Sequence, residues 1–123
     1  MSDPIARAGL SALIILQAVM LTALYAGVPP HPPAATPLFA MAPWLGAALA
    51  LAAAALILGP TSSGLGRSVA GLAALMALVS YGPHKLLDAQ IAGIWPSVCL
   101  GMAAAGAVVA CALRGSAHRS TAR

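Results

Sequence analysis

Four long apolar stretches, separated by short segments rich in proline, glycine and hydroxyl side chains, organise this chain of 123 residues. They run from Ala8 to Val28, from Leu38 to Gly59, from Ser68 to Pro83 and from Ile91 to Leu113. A helix of about 20 apolar residues crosses the hydrocarbon core of a bilayer. Each stretch therefore reads as a transmembrane helix, and the chain as an all-α integral membrane protein with a four-helix bundle over residues 1–113.

The separators are specific. Residues 29–37 hold five prolines in nine positions, which forbids helix and favours an extended loop. Pro60-Thr61-Ser62-Ser63-Gly64 is a turn. Gly82-Pro83 interrupts the third stretch, leaving Ser68–Gly82 with only about 22 Å of helix against a core of about 30 Å. Either Pro83 bends a longer helix, or it ends a short one that a thinned bilayer or neighbouring helices accommodate. The first stretch is too long for the core of a signal peptide and lacks a convincing small-residue cleavage pattern. Residues 114–123 form a polar, basic tail.

Composition supports this reading. Hydrophobic residues make up 61% of the chain and charged ones 7%, where a soluble domain has about 25% charged. There is no Glu, and the acids are Asp3 and Asp88 alone. The bases set orientation. Arg7, Arg67, Arg114, Arg119 and Arg123 fall on one side of the four spans and only Lys85 on the other. By the positive-inside rule both termini are expected in the cytoplasm, and the Pro-rich and His84–Asp88 loops outside, in the periplasm if this is a bacterial inner membrane. Bases dispersed singly at span ends do not make the basic stripe that nucleic acid requires, so no nucleic-acid partner is expected. Cys99 and Cys111, about 18 Å apart on one helix, cannot pair with each other.

The aromatics Tyr25, Phe39, Trp44, Tyr81 and Trp95 all fall toward the outer ends of the spans. They read either as an interfacial belt or as a docking surface. Tyr, Gly, Pro and His recur in order at Tyr25–His31 and at Tyr81–His84, and each group precedes a Trp beside a Pro. Two duplicated hairpins, related by an axis along the membrane normal, would explain this; so would chance in a low-complexity sequence.

Small residues at four-residue spacing let membrane helices approach closely. Ala42, Gly46, Ala50 and Ala54, and Gly93, Ser97, Gly101 and Ala105, are the candidate packing ridges, while Leu13, Leu16, Leu56 and Leu75 are candidates to face lipid or a partner. Gln17, deep in the first span, is expected to bond a neighbouring helix. No ionisable residue sits at mid-span, which argues against a proton- or ion-coupled carrier.

The richest segment is Tyr81–Asp88. If it is helical, Lys85 and Asp88 can pair at i,i+3. His31 and His84 are too few to make a metal site, no cofactor is named by the sequence, and no catalytic constellation is evident.

The expectation is a non-catalytic accessory subunit or assembly factor of a larger membrane complex, with an energy-transducing complex, respiratory or photosynthetic, as one candidate host. Tyr25, His31, Trp44, Tyr81, His84, Lys85, Asp88 and Trp95 would carry contacts to partner or ligand. Its surroundings would be the lipid bilayer and other integral membrane subunits, or further copies of itself. The alternative is a small transporter or binder of an apolar molecule such as a quinone, carotenoid or lipid, with Gln17 or His84 as polar contact. An enzyme using His84 and Asp88 is the third possibility and the least favoured.

Overall fold

The computed structural model describes residues 2–28 and 38–120. It contains α1 (Ser2–Ala26), α2 (Leu38–Leu58), α3 (Gly64–Tyr81) and α4 (Ile91–Ser120), with a short 3-10 helix, η1 (Pro83–Leu87), between the last two. All four α-helices are long and apolar enough to cross a membrane. The chain is a multi-pass membrane protein with an all-helical four-helix bundle.

Local chemistry sets the boundaries. α1 begins at Ser2 rather than Ala8; Asp3 in its first turn suits the positive end of the helix dipole and pairs with Arg7 one turn on, at 2.7 Å. α3 begins at Gly64, four residues before the apolar stretch, because Ser63 caps it: the Ser63 hydroxyl accepts from the Gly66 amide at 2.9 Å. Its 18 residues give about 27 Å of helix, close to the bilayer core. Pro83 ends α3 rather than bending it. Gly82 is extended, and the chain restarts as η1 with Pro83 in its first turn. α4 continues through Arg114 to Ser120, so most of the polar tail is helical.

Consecutive helices run antiparallel, and each packs on the next around the bundle, with α4 closing on α1. At one end the Thr61 hydroxyl donates to the Asp3 carboxylate at 2.9 Å, tying the start of α1 to the α2–α3 turn. At the same end Arg67, early in α3, lies over Gly115, late in α4. This arginine end holds Arg7, Arg67 and Arg114; the opposite, aromatic end holds Tyr25, Phe39, Trp44, Tyr81 and Trp95. Gly59 opens the tight turn between α2 and α3 with a φ of +78°, a conformation that favours glycine.

Alanine dominates the interior: Ala52 and Ala55 from α2, Ala70, Ala73, Ala74 and Ala77 from α3, and Ala104 and Ala105 from α4, filled out by Leu10, Leu13 and Val108. In lipid, close packing replaces the hydrophobic effect as the force between helices, and small side chains permit it. α1 and α4 approach closely at Gly9, where an added Cβ would lie 2.8 Å from Val108 Cγ2. Among the described residues α1 and α3 also meet across the centre, while α2 and α4 do not touch. The bundle is flattened, with α2 and α4 at its two far corners.

Candidate functional site

Two features could carry function: a polar interior near the aromatic end, and the outward faces of α2 and α4. The interior is organised by Tyr81. This residue is 6% exposed, and its hydroxyl donates to the Leu16 carbonyl of α1 at 2.6 Å. Gly101 of α4 makes room, since a Cβ there would stand 2.7 Å from the Cβ of Tyr81. One side chain thus joins α1, α3 and α4. The bond meets α1 at Leu16, about 15 Å of helix before its end at Ala26.

Three polar atoms are buried in this half of the bundle. Gln17 Oε1, Ser80 Oγ and Trp44 Nε1 have no hydrogen-bond partner among the described residues. Gln17 and Ser80 are each 1% exposed. Buried polar groups are normally paired, so each of these atoms, on α1, α3 and α2 respectively, could stabilise a polar group brought to it.

The segment after Tyr81 is more self-contained. η1 packs chiefly on α4. Lys85 Nζ stands 3.7 Å from Asp88 Oδ2, both side chains being mostly covered, and Asp88 Oδ1 accepts from the Gln90 amide at 2.9 Å. The two charges offset each other, which leaves the aromatic end with little net charge to offer a partner. His84 is exposed on η1, and His31 lies outside the described residues. Tyr25 and Trp95 project outward and are more than half exposed; Trp44 is half-buried. Tyr25 and Tyr81, equivalent in the possible duplication, therefore have opposite environments.

The packing ridges divide. On α4, Gly101 and Ala105 face the interior, Ser97 is half-buried and Gly93 is exposed. On α2, Gly46 and Ala50 face outward, while Ala42 and Ala54 lie at the margin. The interior stripe of α2 sits one step round the helix, at Leu45, Ala48, Ala52 and Ala55. α2 is apolar on every side, so its sequence holds no phase that would single out the inward face.

What remains outside on α2 is small: Gly46, Ala47, Ala50 and Ala53, between Phe39 at one end and Ile57 at the other. The outward face of α4 carries Cys99, Ala103, Gly106 and Ala110, at alternating four- and three-residue steps. The other two corners differ. α1 presents Ile5, Ile15, Val19 and Tyr25, and α3 presents Leu65, Leu72, Leu75 and Val79. The sequence singles out the Gly93–Ala105 ridge on α4 and not this seam; distinguishing the two needs the helix rotation. No family model matches the chain, and neither a curated protein nor a solved structure shows significant similarity to it.

Proposed function

We propose that this protein is a non-catalytic accessory or assembly subunit of a larger membrane complex, held through the smooth outward faces of α2 and α4. The contrast between corners carries this reading. α1 and α3 offer the long aliphatic side chains that suit lipid. α2 and α4 offer glycine and alanine along the middle of their outward faces, with Leu100 and Leu113 exposed beside and below the α4 stripe; the small residues let another transmembrane helix approach closely. Trp95, exposed four residues before Cys99, continues the α4 face toward the aromatic end. An energy-transducing complex, respiratory or photosynthetic, is a natural host. The skew of arginines toward one end supports an orientation with both termini cytoplasmic, in a bacterial inner membrane on this reading.

Cys99 provides the test, because it is exposed on the α4 seam whereas Cys111 is buried. A bifunctional thiol reagent applied to native membranes should capture one defined membrane subunit through Cys99, and a Cys99→Ala variant should capture none. Products consisting only of further copies of this chain would contradict the accessory reading.

The unpartnered Gln17, Ser80 and Trp44 atoms favour a second reading, a binder of an apolar molecule with a polar group such as a quinone. Ser80 and Trp44 can each donate to a carbonyl oxygen, and Gln17 Oε1 can accept from a hydroxyl. Quinone titration of the purified protein should then quench Trp44 fluorescence; Trp95, on the outer surface, gives the background in a Trp44→Phe variant.

A further inference from the structure

At the arginine end an open groove of about 380 Å³ runs between the outer faces of α3 and α4. Arg67 and Ser68 stand at its mouth, and Leu72, Leu75, Val109 and Leu113 line its shaft. From Arg67 to Leu75 is about 12 Å along the helix, most of the depth of one leaflet. The groove is thus charged where headgroups lie and apolar where acyl chains lie.

Arg67 is held in place. Gly115 lets its stem lie flat on α4, since a Cβ there would be 3.0 Å from Arg67 Cδ, and Nη1 donates to the Thr61 carbonyl at 3.3 Å. A guanidinium has five N–H donors, so most remain for a ligand. No carboxylate pairs with Arg67 among the described residues; Asp3, the acid at this end, is engaged by Arg7 and Thr61. The hydroxyls of Ser68 and Ser116 donate to carbonyls of their own helices, at 3.0 and 3.2 Å. Among the residues that line the groove, Arg67 is the charged one, and it is held in place.

We propose that this groove binds one anionic phospholipid, with its phosphate on Arg67 and an acyl chain along Leu72, Leu75 and Val109. Charge complementarity selects the headgroup, since planar N–H pairs match phosphate oxygens, and the apolar shaft excludes a free phosphate ion as the natural occupant. Its lining shares no residue with the Cys99–Ala110 stripe of α4 or with the α2 face assigned to partner subunits, although it adjoins the stripe at Leu113.

The test is native mass spectrometry of the full chain, equilibrated in detergent with equal amounts of phosphatidylglycerol and phosphatidylcholine. The expected result is one retained phosphatidylglycerol per chain, favoured about fivefold over phosphatidylcholine, as befits one basic contact. Arg67→Gln should abolish the preference. Gly71→Leu should abolish it too with every charge kept; Gly71 lines the groove and has open space around it, so this change fills the site without a clash. Arg114→Gln removes an equal charge from outside the groove lining and should leave the preference intact. No preference in the parent protein, a preference that survives Gly71→Leu, or equal loss in Arg114→Gln would each overturn the proposal. Should Arg67→Gln fail to fold, the Gly71→Leu result decides alone.

Discussion

The phenol of Tyr81 reaches across the bundle from α3 and donates to the backbone carbonyl of Leu16 on α1, at 2.6 Å, with its Cβ seated against Gly101 of α4. The bond pins the level at which α3 ends against α1. Removing only the hydroxyl, in Tyr81→Phe, should destabilise the bundle by about 1 kcal/mol, because the Leu16 carbonyl lies within helix α1 and keeps a backbone donor. Tyr81→Ala also opens a cavity and should cost about 3–5 kcal/mol. Thermal unfolding in a mild detergent, followed by circular dichroism, separates the two.

Gly101 and Gly106 are five residues apart on α4 and should respond oppositely to enlargement. Gly101→Leu drives a side chain into Tyr81 and should destabilise by about 1–3 kcal/mol or more. Gly106 has nothing within 4 Å, so Gly106→Leu should leave the isolated bundle's melting temperature nearly unchanged. The same unfolding measurement, run on both variants, checks the assigned rotation of α4.

Much of this fold was legible in the sequence. Four apolar stretches mark four helices, and arginines and aromatics mark opposite ends, whereas Gly82-Pro83 leaves a bend and a stop equally open until the extended Gly82 shows that α3 ends there. The start of α3 was not legible from hydropathy, because it depends on the Ser63 cap and the left-handed Gly59. The inward face of α2 was hidden because alanine and leucine surround that helix. The contact between Tyr81 and Leu16 spans 65 residues and follows from packing alone. The candidate site divides in the same way. Gln17 stands out in sequence as a polar residue within a span, whereas Ser80, Arg67 and the Cys99–Ala110 seam acquire meaning only through the neighbours the fold gives them.

The Ser63 cap gives a test of how α3 is held at its full length. Ser63→Ala loses the acceptor for the Gly66 amide and should lower stability by about 0.5–2 kcal/mol. Ser63→Asp retains the acceptor and should restore it. Denaturant titration of the reconstituted protein reads both.

Gln17 should be dispensable for folding. Its Oε1 is buried without a partner, so Gln17→Leu removes an unpaired group and should leave stability unchanged or raise it slightly. A clear loss of stability would show that the amide holds α1 to a neighbour, and would remove Gln17 from any ligand site. The comparison is again one of melting temperatures in detergent.

The most direct measurement is purification of a chromosomally tagged copy in mild detergent, with quantitative mass spectrometry of what accompanies it. The account predicts partner membrane subunits in fixed stoichiometry. It also predicts their loss from a variant carrying Ala50→Leu and Gly106→Leu, whose own bundle still melts like the parent. A chain that purifies alone or only with itself, or a double variant that keeps its partners, would contradict the assignment of the α2 and α4 faces as docking surfaces for a larger complex.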